Sequence, residues 1–129
     1  MARLAAALLQ LPNGLFVVQR RGAGSPFAPL KLGFFGADIG AHETPLIAVK
    51  RALAQETSLD VDNLQLEAVK EIDLPNNNGQ EDIYIYVFKA QITSPDFEVY
   101  DGRPEVHPLE DIRSRIDLTN GLHIIMQHL

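Results

Sequence analysis

The apolar runs Leu4–Leu11 and Leu15–Arg20 are separated only by Pro12-Asn13-Gly14, and no other feature constrains the fold as tightly. Asn-Gly between two apolar runs signals a hairpin, because both residues tolerate positive φ. The chain therefore opens on two antiparallel strands. Leu32–Ile39, apolar and punctuated by glycine, reads as a short strand entering a loop. Thr44 then has the form of a helix N-cap with Pro45 at the first helical position. Leu46, Val49 and Leu53 follow at helical spacing, predicting a helix to about Thr57 with these three residues in the core.

Beyond that helix, Leu64–Leu74 and Asp82–Ile92 read as strands joined by the turn Asn76-Asn77-Asn78-Gly79, and Phe97–Tyr100 as a short strand. Pro108–Arg115 reads as a short helix. Thr119 caps a final helix with Leu122, Ile125, Met126 and Leu129 on its apolar stripe. The order is strands, a helix, strands, then helices, which argues against a doubly wound parallel sheet. Gly33, Gly36 and Gly40 lack the spacing of a phosphate loop or a dinucleotide fingerprint.

At 129 residues, 46% hydrophobic and 22% charged, the chain is expected to form one globular domain, 1–129. A net charge of -6 makes the chain a poor candidate for nucleic-acid binding through phosphate neutralisation, and no nucleic-acid partner is expected. It does not exclude small phosphate ligands, whose charge a metal ion can screen. With no cysteine, disulfides, zinc-thiolate sites and thiol nucleophiles are ruled out. Met1–Leu11 is too short and wrongly flanked for a cleaved signal, and no apolar run approaches the ~20 residues of a membrane helix. The expectation is a cytoplasmic protein with no membrane partner.

Gly36 to Leu59 reads GADIGAHETPLIAVKRALAQETSL. It resembles, without a gap, the Nudix box G-x5-E-x7-R-E-U-x-E-E-x-G-U, where U is a bulky aliphatic residue. Glu43, Arg51, Leu53, Glu56 and Leu59 match; Ala37, Ala52, Gln55 and Ser58 depart from the pattern. Leu32-Gly33-Phe34-Phe35-Gly36 resembles the family's Trp-x-x-Pro-Gly lead-in, and Glu105–Ile112 its late strand and short helix. The resemblance covers nearly the whole chain. It implies an α/β fold, the Nudix α/β/α sandwich around a mixed β-sheet, and it implies Mg²⁺- or Mn²⁺-dependent hydrolysis of a nucleoside diphosphate derivative or a nucleoside triphosphate. Homodimers are common in the family.

In the family three glutamates at i, i+3 and i+4 of the helix offer clustered oxygens, which suit hard Mg²⁺ ions that bridge a diphosphate. Here those positions are Ala52, Gln55 and Glu56. Glu56 is the candidate catalytic and metal residue, Gln55 a weaker amide ligand, and Asp101 the best replacement carboxylate, ahead of Asp38. Metal binding should be weak. The resemblance assigns Glu43 and Arg51 to a salt bridge that supports the loop and helix. Arg20, Arg21 and Lys31 flank the expected phosphate end. Asn120 is the candidate base reader, although helix capping explains it equally well. His42, His107, His123 and His128 lack metal-ligand spacing and read as structural.

The function expected from these residues is a weakened Nudix-type hydrolase. The alternative is an inactive nucleotide-binding or partner-binding Nudix domain. Ala52→Glu with Gln55→Glu is expected to restore three carboxylates on one helix face, and with them metal-dependent hydrolysis, at a slight cost in stability.

Overall fold

A computed structural model describes residues 2–75 and 81–129; the turn Asn76–Gly79 lies outside the described residues. The strands are β1 (Ala2–Gln10), β2 (Phe16–Arg20), β3 (Leu32–Gly33), β4 (Phe35–Asp38), β5 (Glu67–Leu74), β6 (Ile83–Gln91) and β7 (Arg103–His107). The helices are α1 (Pro45–Glu56), α2 (Leu109–Ser114) and α3 (Asn120–His128).

The predicted hairpin forms, with Leu9 opposite Val17 and Gln10 opposite Phe16. Of its turn residues, Gly14 supplies the positive φ, +87°, while Asn13 instead accepts the Leu15 N–H on its side chain. The two strands then part. β1 continues antiparallel to β4 and runs parallel to β6 from Ala2–Ile83 to Gln10–Gln91, whereas β2 pairs with β3 and β7. The result is a seven-stranded mixed sheet in the order β3-β2-β1-β6-β5, with β4 on β1 and β7 on β2. β5 forms one edge and is bulged between Ala68 and Lys70.

Alternation along β1 sorts its side chains between two cores. Ala5, Ala7 and Leu9 face α1, meeting Ala48, Val49 and Leu53. Ala6 and Leu8 face α2 and α3, meeting Ile112, Leu122, Ile125 and Met126. The expected α/β/α sandwich is present. No helix among the described residues is long and apolar enough to cross a membrane.

The caps of α1 and α3 are as expected: Thr44 accepts from the Ile47 N–H and Thr119 from the Leu122 N–H. Four expectations need correction. Leu46 is 39% exposed, because α1 buries Ala48, Val49, Ala52 and Leu53 and turns Leu46 to its solvent side. Leu129 is also exposed, one residue past the end of α3. β5 starts at Glu67, since Leu64 and Leu66 leave the sheet to pack in the α1 core. Phe97–Tyr100 makes only one bridge, Val99 to Thr57, rather than a strand.

Gly36 marks a close approach of β4 to β1. A Cβ there would lie 2.2 Å from the Ala5 carbonyl oxygen and 2.8 Å from Phe34 Cε2. Because the first obstacle is backbone, the strands themselves would have to separate. Gly36→Ala should cost about 1–3 kcal/mol by urea unfolding, the range for overpacking a close-packed interior. An unchanged unfolding midpoint would show that β1 and β4 have slack.

Candidate active-site cleft

Arg51 and Glu43 form the bracket expected of them. Arg51 Nε and Nη2 reach Glu43 Oε2 and Oε1 at 2.7 and 2.9 Å, and Nη2 also donates to the Asp38 carbonyl at 2.9 Å. Glu43 Oε1 accepts from the Gly40 N–H at 2.8 Å as well. Hydrogen bonds from Arg51 and from Gly40 hold its carboxyl below the usual range. One ion pair thus ties the loop 38–43 to the middle of α1.

The far end of α1 is stapled to the 97–101 segment. Thr57 N–H and Oγ1 both donate to the Leu53 carbonyl, the Tyr100 N–H donates to the Glu56 carbonyl, and the Ser58 N–H to the Glu98 carbonyl. This carries Asp101 alongside Glu56. Gly102, at φ +80°, then turns the chain into β7; a Cβ there would meet the Arg20 carbonyl at 1.8 Å, so the turn requires glycine.

Glu56 and Asp101 share a cleft of about 540 Å³ with Gln19, Arg21, Phe27, Phe34, Thr119 and neighbouring small residues. Glu56 Oε1 accepts from the Gly36 N–H at 3.1 Å. Asp101 Oδ1 accepts from the Gly22 N–H at 3.1 Å, and Oδ2 lies 3.7 Å from Arg21 Nη2. Arg21 also holds the loop above the cleft, donating to the Phe27 carbonyl and to Ser25 Oγ, each at 2.7 Å.

No family model matches the sequence, and no curated protein matches it significantly. Solved structures do match. A Deinococcus radiodurans protein superposes with a TM-score of 0.82 at 17% identity, over 98% of this chain and 82% of that one. A MutT Nudix hydrolase from Burkholderia pseudomallei gives 0.70 at 17% identity, covering 99% and 97% of the two chains. The Nudix domain of Shewanella oneidensis NrtR, in complex with ADP-ribose, gives 0.69 at 18% identity, covering 98% and 84%. This chain has the Nudix fold.

The Nudix-box positions do not form one acidic face. Ala52 is 1% exposed, Gln55 is exposed with its amide oxygen accepting from Arg51 Nη1 at 3.2 Å, and Glu56 lies half-buried in the cleft. Among the described residues no three His, Asp or Glu side chains are grouped to hold a metal. Hard cations need several converging oxygens. Here one oxygen of Glu56 is engaged by Gly36, and Asp101 faces Gly22 and Arg21. The residues present therefore do not fit the multi-carboxylate metal site of a complete box.

Of the other candidates, only Arg21 lines the cleft. Arg20 is committed elsewhere: it forms a two-pronged pair with Glu105 at 2.6 and 2.9 Å and donates to Asp117 at 2.8 Å and to the Leu30 carbonyl at 2.9 Å. Hydrogen bonding from Arg20 holds the Glu105 carboxyl at about 2. Lys31 and Asn120 lie together in a separate surface depression with Arg115 and His123. His107 is paired with Glu105, and His42 is exposed. Gln19, Phe27, Phe34 and Thr119 went unrecognised as cleft residues. The one sequence signal was Gln19, a polar residue on the same face of β2 as the buried Val17.

Burial pushes the Glu56 carboxyl up to about 7, and the Gly36 hydrogen bond and the fields of Arg21 and Arg51 only partly offset this. In the unfolded chain it ionises near 4.5. Its contribution to stability is therefore full below about 4.5 and is lost as pH rises through about 7. Glu56→Gln keeps the acceptor for Gly36 but cannot ionise. Between pH 5 and 8 its stability should gain on the parent by about 1–3 kcal/mol in urea unfolding. A difference that stays constant over this window would mean that Glu56 ionises as an ordinary surface carboxylate.

Proposed function

We propose that this chain is a nucleotide-binding Nudix domain in which metal-dependent hydrolysis is weak or lost. The observation that carries the reading is a division within the site. The Glu43–Arg51 bracket and a ligand-sized cleft are intact, while the three box positions are a buried alanine, an exposed glutamine and one half-buried glutamate. Arg21 supplies a cation for a phosphate group, and Phe27 and Phe34 supply apolar surface for a base. The ADP-ribose held by the NrtR Nudix domain is a ligand of this class on the same fold. Mg²⁺ or Mn²⁺ would find at most Glu56, with Asp101 nearby, and would bind weakly.

One observation favours the hydrolase reading. A carboxylate whose pKa is about 7 is suited to take a proton from water at neutral pH, and Glu56 has that property in the cleft. The two readings separate in one experiment. The protein is screened against nucleoside diphosphates, triphosphates and ADP-ribose, with and without Mg²⁺, reading both thermal shift and product. Binding predicts stabilisation by at least one nucleotide without Mg²⁺, about 2.7 kcal/mol at a hundredfold excess over Kd. Mg²⁺-dependent turnover within the usual ~1–10³ s⁻¹ would establish the enzyme instead. No shift and no product with any nucleotide would refute both.

The burial of Ala52 also revises the expected repair of the box. Gln55→Glu adds charge at the surface and should change stability by less than ~0.5 kcal/mol. Ala52→Glu places a carboxylate where the native side chain is 1% exposed, and should cost at least ~1–3 kcal/mol in denaturant titrations rather than a slight amount. A double variant as stable as the parent would contradict this cost of burial, and one that folds and binds Mg²⁺ but gains no hydrolysis would favour the binding reading over the enzyme.

A further inference from the structure

Gln19 is 3% exposed, yet it lines the cleft. Its amide is fixed on one side, where Nε2 donates to the Asp101 carbonyl at 2.9 Å. That bond sets which end of the amide is oxygen, since a flipped amide would oppose two carbonyls. Oε1 has no hydrogen-bond partner among the described residues. It is not sealed in the interior either, because among the described residues no fully enclosed side-chain oxygen or nitrogen lacks a partner. The opening that Gln19 borders is the cleft. A nearly buried acceptor, locked by its own donor, therefore waits at the cleft wall for a donor from outside.

The rest of the lining agrees. Its other polar side chains are the carboxylates of Glu56 and Asp101 and the Thr119 hydroxyl, which already accepts from the Leu122 N–H, while Arg21, its one cation, directs Nε to Phe27 and Nη2 to Ser25. Apart from Arg21, whose positive charge serves the phosphate end, these side chains suit ligand N–H and O–H groups.

We propose that Gln19 is a specificity-determining residue, its amide oxygen accepting a hydrogen bond from an amino or hydroxyl group on the nucleoside part of the ligand. This rests on the reading of the cleft as a nucleotide site. A buried acceptor left unpaired disfavours a ligand lacking the donor, so analogues that replace N–H with an acceptor or delete a hydroxyl bind more weakly.

The test is a set of matched ligands titrated without metal: ADP against IDP, CDP against UDP, and each against its 2′-deoxy form. The expected result is a loss of ~10-fold or more in affinity within at least one pair. The amino pairs and the deoxy pairs tell which donor Gln19 meets. In Gln19→Met, which offers neither donor nor strong acceptor, that discrimination should collapse to within about twofold while the better ligand weakens. The parent comparison stands alone should the variant fail to fold. Nucleotide binding with no preference in any pair, or a preference that survives in folded Gln19→Met, would overturn the role of Gln19 while leaving the cleft a nucleotide site. Binding of no nucleotide at all would overturn both.

Discussion

The close approach of β4 to β1 is the constraint on which the site depends. Ala5, Ala6 and Ala7 leave room for Gly36 to pass so near that no side chain fits at that position. This puts the Gly36 N–H within reach of Glu56 at the end of α1. The same small side chains let α1 settle onto the sheet through Ala48 and Val49. The Glu43–Arg51 pair fixes the loop between β4 and α1, and the Thr57–Tyr100 stretch fixes the helix's other end. The cleft is thus built by backbone spacing and two clamps, and Gln19, Arg21, Asp101 and Thr119 of its lining brace the backbone around it.

Much of this architecture was legible in the residues. Asn13-Gly14 marked the hairpin, Thr44-Pro45 the start of α1, and Glu43 with Arg51 the bracket, because each is a local signal with a direct physical cause. Leu46 misled because it sits at core spacing on a helix whose contact face is narrowed by alanines at 48 and 52. The split of Leu32–Ile39 into β3 and β4 depends on partners far along the chain, so no local pattern reports it. The cationic candidates divided for a similar reason. Arg20 and Arg21 are adjacent, but alternation sends one to Glu105 and Asp117 and the other to the cleft. Proximity to the site in sequence could not separate them.

The charges around the cleft follow two different logics. Arg20, Glu105, Asp117 and Arg115 satisfy one another and join β2, β7 and the approach to α3, so their charge is internal to the scaffold. Glu56 is penalised by its burial, and its hydrogen bond from Gly36 and the fields of Arg21 and Arg51 only partly offset this. That contrast, more than the count of box matches, is why we propose Glu56 as a residue of the ligand site.

The parallel pairing of β1 with β6 has a consequence for how the chain acquires this shape. Ala2 lies beside Ile83 and Gln10 beside Gln91, so each pair is separated by 81 residues. Closing so long a loop is entropically costly, and folds built on such contacts form slowly. During synthesis the β1–β2 hairpin can close as soon as it emerges, but the centre of the sheet must wait until residue 91 is free of the ribosome. Until then the apolar run from Ala5 to Leu9 has no β6 partner, and the exposure of that strand falls in the interval when a chain is most open to association with its neighbours.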